Sequence, residues 1–130
     1  MTSPNILVTG SSRGIGAATA TLLRQRGAEV FGQATRPVDA ATIVADFAET
    51  PAPHLLWEQA LDRCGGQIDV LVNNAGIFVE NPLDSSDIAW LDGWEDTLRI
   101  NLTAAAQLSR FAVRHWQQRG APGRIVHVAS

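Results

Sequence analysis

Residues 5–16, Asn5-Ile-Leu-Val-Thr-Gly-Ser-Ser-Arg-Gly-Ile-Gly16, decide the fold. The apolar run Ile6-Leu7-Val8 predicts a buried parallel strand. Glycines at 10, 14 and 16 follow, and then Ala17–Arg26, a stretch of helix formers. Strand, glycine turn and helix in that order make the first half of a mononucleotide-binding βαβ unit. Glycine lets a diphosphate approach the main chain without meeting a Cβ. The first amides of the helix lack intrahelical acceptors, and the helix dipole turns its positive end to the ligand. Ser11 and Ser12 add hydroxyl donors. The spacing is Gly-x-x-x-Gly-x-Gly rather than the general Gly-x-Gly-x-x-Gly. Taken alone it also suits an ordinary glycine-rich turn; its place between strand and helix argues for anion binding.

From this unit the pattern extends by alternation. The first helix is predicted over residues 13–26, with Ile15, Ala18 and Leu22 as its core face and Gly27 as C-cap. A second strand covers residues 28–33, and a loop punctuated by Pro37 covers residues 34–39. Thr42–Ala45 reads as a short third strand that ends at Asp46. Pro51-Ala-Pro53 opens a helix with Leu56, Ala60 and Cys64 on one face, stopping at Gly65-Gly66. Ile68–Val72 is a fourth strand, followed by Asn73-Asn-Ala-Gly76. After a loop over residues 77–86 comes a short turn or helix near residues 87–91. The longest helix is expected over residues 94–119, N-capped by Asp92 with Glu95 three residues on. Trp94, Leu98, Leu102, Ala105, Ala112 and Trp116 mark one apolar face; Ile100, Ala104, Leu108 and Phe111 mark a second. Arg124–Val128 is a fifth strand. Strands alternating with helices imply an α/β fold, a Rossmann-type doubly wound parallel sheet of order 3-2-1-4-5. A length of 130 residues bounds the chain at a single domain.

Composition narrows the class of function. Net charge is −3, and no basic stripe suggests nucleic acid. No apolar run is long enough to span a bilayer, and nothing reads as a signal peptide, so a reducing, cytoplasmic setting is expected. The lone Cys64 reads as a small buried hydrophobe rather than a reactive thiol. His54 and His115 read as surface or helix-end residues, and no histidine pair has metal-ligand spacing. His127, alternating with Val126 and Val128, is expected to be buried and hydrogen-bonded. The acidic group Asp84, Asp87, Asp92, Glu95 and Asp96 reads as a solvated loop and helix N-terminus, not a cation site.

Thr9-Gly-Ser-Ser-Arg-Gly-Ile-Gly16, Asp46, Asn73-Asn-Ala-Gly76, Asn101 and Ile125-Val-His-Val-Ala-Ser130 together resemble a short-chain dehydrogenase/reductase, in the family's order and along the whole chain. The resemblance implies that Gly10, Gly14, Gly16 and neighbouring Ser12 hold the cofactor's phosphates, with Arg13 and Ile15 of the same turn among the cofactor-binding residues, and that Asp46 and Phe47 sit beside the adenine. It implies that Asn73, Ala75 and Gly76 support cofactor and sheet. Asn101 would help position a proton-relay water, and Ser130 would polarise a substrate carbonyl. A nicotinamide cofactor, a small carbonyl or alcohol substrate and a homo-oligomer are implied with them.

In that family a tyrosine, its pKa lowered by a lysine four residues later, exchanges the proton. This chain contains no tyrosine, and all ten of its basic Lys/Arg residues are arginine. The resemblance therefore implies the N-terminal, cofactor-binding half, incomplete at its C-terminus and lacking the later strands. Such a chain is expected to be inactive alone. The other reading is a non-catalytic dinucleotide-binding module, or a fragment that needs a partner chain.

The cofactor is read from charge. Arg13 opposes the helix dipole by about 0.3–1 kcal/mol unless an anion binds there. After the second strand stand Ala34, Thr35 and Arg36, with no acid for the 2′-hydroxyl of NAD. Arg13 and Arg36 without an acid favour a 2′-phosphate and hence NADP(H). NAD(H) stands as the alternative, with the two arginines solvated and Asp39 within reach of the ribose.

Overall fold

The computed structural model describes residues 3–129. Five parallel strands form one sheet in the order β3-β2-β1-β4-β5, as the alternation predicts. They are β1 (Asn5–Val8), β2 (Glu29–Ala34), β3 (Thr42–Val44), β4 (Val70–Asn73) and β5 (Arg124–His127). The helices are α1 (Gly14–Gln25), α2 (Ala52–Arg63), α3 (Asp87–Leu98) and α4 (Ala104–Arg119), the last two joined by one π turn, Arg99–Thr103. No helix among the described residues is long and apolar enough to cross a membrane.

Alternation along β1 divides the core. Leu7 points to one side, where it meets Ile43, Leu56, Leu71, Leu108 and Trp116 under α2 and α4. Ile6 and Val8 point to the other, where Ala20 of α1 and Val30 and Val72 of the sheet cover them. Helices thus bury both faces of the sheet, which is why the central strands are continuously apolar.

Three expectations give way. The inner face of α1 is Gly16 and Ala20, with Leu23 packed beside them, while Ile15 and Leu22 are exposed. The glycine turn fixes the rotation of α1 by pressing Gly16 against the turn itself, and this overrides the apolar spacing. The long helix begins at Asp87 rather than Trp94: Ser86 Oγ accepts the Ala89 N–H at 3.2 Å and caps it. From there the chain stays helical to Arg119 through the π turn. Its inward stripe runs through Gly93, Thr97, Ile100, Ala104, Leu108, Ala112 and Trp116, of which the last four are buried. Trp94, Leu98 and Leu102 face outward with Ile88 and Leu91. Small and polar residues line the inward stripe where the helix lies close to the loop before it, as at Gly93 beside Asn81. Finally, His127 is exposed rather than buried. It stands on the last strand of the sheet, which among the described residues has a neighbour on one side.

His115 carries a pH-dependent contact. The Ile68 N–H donates to its Nε2 at 3.3 Å, so that nitrogen must be unprotonated. Burial first, and then the charge of Arg119, hold its pKa below the ordinary 6.5, with Asp69 opposing. The unfolded chain therefore takes the proton before the native one. Stability is full above pH 6.5 and erodes as pH falls through that value toward the lowered native pKa. The melting temperature should fall between pH 7.5 and pH 5.5, and His115→Gln, whose carbonyl can accept the same N–H, should flatten that slope. An unchanged slope in the variant would clear His115 of the effect.

Candidate functional site

In an open parallel sheet, ligands gather at the carboxyl ends of the strands where the chain order reverses. Here the reversal falls between β1 and β4. A cleft of about 360 Å³ opens at that point.

Its floor is the glycine turn. Gly10 and Gly14 have φ of +63° and +58°, in the left-handed region that glycine enters freely. The first intrahelical bond runs from Ala17 N–H to the Arg13 carbonyl at 3.2 Å. The Gly14, Ile15 and Gly16 amides ahead of it have no intrahelical acceptor. No acidic residue sits in the first turn of α1, so its positive end is uncompensated from within. A Cβ at Gly14 would meet nothing within 4 Å; the cleft is open over this position. These features suit a diphosphate: bare amides, open space above them, and the cation of Arg13 on the rim.

The turn is held from two sides. Thr9 Oγ1 accepts the N–H groups of Asn74 at 3.0 Å and Ala75 at 2.9 Å. Asn74 Nδ2 donates to the carbonyls of Thr9 at 3.2 Å and Gly10 at 3.0 Å. From the β2 side, Gln33 Oε1 accepts the Gly10 N–H at 2.8 Å, and the Gln33 carbonyl accepts the Ser11 N–H at 3.0 Å. A Cβ at Gly32 would strike Ser11, which is why the turn can lie flat on β2. Thr9 and Asn74 stand in the two motifs without a role assigned to them by sequence, and Gln33 stands in neither. Their signal was a polar residue inside or beside an apolar strand, which needs a hydrogen-bond partner when buried.

The candidate residues are brought together in part. Gly10, Ser12, Arg13, Gly14 and Ile15 line the cleft from the turn. Asp46, Phe47, Ala75 and Gly76 line it from the other strand ends. Gly16 sits behind the turn, where a Cβ would overlap the Gly10 carbonyl. Arg36 is exposed in the loop after β2 and is not part of the cleft wall, although Ala34 and Thr35 are. The Asp39 carboxylate is engaged elsewhere: Thr42 Oγ1 donates to it at 2.8 Å and the Ala41 N–H at 3.0 Å. The Thr42 bond chiefly holds its pKa below the usual carboxylate value, desolvation opposes it, and Arg24 at 3.9 Å adds to the lowering.

A second hollow of about 460 Å³ adjoins the cleft and shares Phe47, Ala75 and Ile100 with it. Asn73, buried at the end of β4, donates from Nδ2 to Ser109 Oγ at 3.1 Å and lies 3.3 Å from His127 Nδ1. Asn101 lines this hollow from the π turn. Its Oδ1 accepts the Ile77 N–H and its Nδ2 donates to the Ile77 carbonyl, both at 2.8 Å. The helix widens by one residue at the point where its side chain pins the loop after β4, an arrangement common at functional sites. Ser130 lies outside the described residues.

Comparison with known proteins bears on this geometry. Residues 4–130 match the family model described as short chain dehydrogenase. The chain is 38% identical over 135 residues to the 3-oxoacyl-[acyl-carrier-protein] reductase FabG of Vibrio harveyi, covering 95% of this chain and 53% of that protein. It is 31% identical over 140 residues to 3beta-hydroxysteroid dehydrogenase 1 of Eggerthella lenta, covering 96% and 52%. Among solved structures, 4-hydroxyisoleucine dehydrogenase complexed with NADH superposes with a TM-score of 0.83 at 27% identity, over 98% of this chain and 56% of that one. The chain thus spans about half the length of the curated relatives it matches.

Proposed function

The chain belongs to the short-chain dehydrogenase family, and from that premise we propose that it is the dinucleotide-binding part of an oxidoreductase acting on a carbonyl or alcohol. The observation that supports this best is the glycine turn, whose unpaired amides and left-handed glycines open on a cleft at the sheet's switch point. When bound, the nicotinamide dinucleotide carries the hydride. The residues of this chain bind and orient it. Gly14, Ile15 and Gly16 offer main-chain N–H groups to the diphosphate, and Asp46 and Phe47 flank the adenine. Ala75 and Gly76 give the cofactor a smooth wall, with Asn73 bracing the sheet behind them. Asn101 fixes the Ile77 loop and positions the proton-relay water, and Ser130 polarises the substrate oxygen. The chain contains no tyrosine and no lysine, so the family's proton donor and its partner are not among these residues. On this reading the 130 residues form one cofactor-binding domain without turnover of its own. The completed protein works as a cytoplasmic homo-oligomer, and the outward stripe of Trp94, Leu98 and Leu102 fits a subunit contact.

NADP(H) is the cofactor this reading favours. Ala34 and Thr35 meet the cleft where an acid would hold the NAD ribose, and Asp39 is tied to Thr42. Arg13 and Arg36 then serve the 2′-phosphate, Arg36 by swinging in from the loop. The chain should bind NADPH more tightly than NADH, and Arg36→Ala should cut that preference by about tenfold or more, the loss of one charge-assisted hydrogen bond. Equal affinities in the unaltered chain would contradict the preference for NADP(H), and tighter binding of NADH would point to NAD(H).

One feature favours a second reading, a non-catalytic module that completes its sheet with another chain. Val126 and Val128, on and just after the last strand, are 47% and 39% exposed. Coding sequence beyond Ser130 containing a tyrosine and, four residues on, a lysine would decide for the enzyme.

A further inference from the structure

Gln33 is 3% exposed, in a strand whose other inward residues are apolar or glycine. It lies at the carboxyl end of β2, between the strands that lead to the two walls of the cleft. Its side-chain oxygen accepts the Gly10 N–H at 2.8 Å, and its side-chain nitrogen donates to the Ala45 carbonyl at 2.6 Å. Both partners are main chain. One belongs to the glycine turn after β1. The other immediately precedes Asp46 and Phe47, which line the opposite wall. These partners also fix the orientation of the amide, because its oxygen faces a donor and its nitrogen an acceptor.

We propose that Gln33 is a positioning residue: its buried amide is a strut between the glycine turn and the Ala45–Phe47 wall, and it sets the cleft's width for an adenosine diphosphate moiety. The inference rests on the dinucleotide-binding reading above. A primary amide suits the task because it places one acceptor and one donor at the end of a single planar group. The strut also uses up the Gly10 N–H, which leaves the later amides of the turn to the ligand. A carboxylate in its place would still accept from Gly10 but would face the Ala45 carbonyl with a second acceptor. Protonation would restore the missing donor. Burial beside a carbonyl raises the pKa of such a group, so the restoration falls in an accessible pH range.

The test is ADP affinity of the unaltered chain and of Gln33→Glu, each at pH 8 and pH 5. The unaltered chain reports the effect of pH on the ligand and on Asp46, the acid on the facing wall. Gln33→Glu should lose at least tenfold at pH 8 and return to within about threefold at pH 5. Equal affinity of the two proteins at pH 8, or the same loss at both pH values, would overturn the strut. If the unaltered chain does not bind ADP, it is the dinucleotide-binding reading that fails instead. Should Gln33→Glu not melt cooperatively at pH 8, hydrogen exchange in the unaltered chain decides. The Gly10 amide, bonded to Gln33, should be protected well beyond Ser12; exchange as fast as Ser12 would contradict the proposal.

Discussion

Gly16→Ala is expected to abolish measurable dinucleotide binding and to destabilise the fold. The added methyl would overlap the Gly10 carbonyl oxygen and crowd Asn74 Nδ2. Neither can withdraw, because Asn74 Nδ2 already donates to that same carbonyl at 3.0 Å. The turn must open, and overpacking of this kind costs about 1–3 kcal/mol. Opening also displaces the Gly14–Gly16 amides, which have no intrahelical acceptor. An affinity loss of at least ~100-fold corresponds to about 2.7 kcal/mol, within reach of two weakened charge-assisted bonds. Gly14→Ala is the control. A Cβ there meets nothing within 4 Å, but the residue sits at φ +58°, so the penalty is backbone strain of about 1–2 kcal/mol. Titration and urea denaturation of both variants check the order. Binding by Gly16→Ala equal to that of the unaltered chain would mean that the closed turn is not what holds the ligand.

Trp116→Ala should have the largest effect on stability. The indole anchors the foot of α4: it is 9% exposed, and its Nε1 donates at 2.8 Å to the carbonyl of Ile68, just before β4. Gly123 packs flat against the ring, and a Cβ there would run into it. Truncation leaves a cavity and an unpaired carbonyl, and large-to-alanine changes of this type cost about 3–5 kcal/mol. Against a total stability of about 5–15 kcal/mol, that removes from about a fifth to all of it. Trp116→Phe separates the causes, since it keeps much of the ring and removes the donor, for about 1–3 kcal/mol. Urea midpoints at constant slope give both values. A phenylalanine variant as unstable as the alanine one would assign the effect to the hydrogen bond rather than to packing.

The sheet order was legible because parallel strands buried on both faces read as continuous apolar runs, and right-handed crossovers leave few ways to arrange them. Leu56 and Ala60 were legible for a related reason: α2 buries one ordinary face. The faces of α1 and of the long helix were not. In α1, Gly16 approaches the turn more closely than any apolar residue allows, so the closest contact carries no hydrophobic signal. In the long helix, Trp94, Leu98 and Leu102 are apolar yet lie on the exposed face. Hydropathy reports what a residue avoids, and does not report which neighbour covers it. Ser86 escaped notice as an N-cap because Asp92 and Glu95 offered a more regular pattern six residues later. At the site, the glycines were legible from their spacing together with their place between a strand and a helix. The side chains that hold them, Thr9, Gln33 and Asn74, bond main-chain atoms between 12 and 66 residues away. No local pattern encodes such pairs.

Backbone amide resonances of the folded chain, followed through a titration with NADPH, test the assignment of the diphosphate to the turn most directly. Saturable shifts centred on residues 12–17, with smaller ones at Asp46 and Phe47, are the predicted result. Cooperatively folded protein whose amides in that segment stay unmoved at saturating NADPH would contradict it.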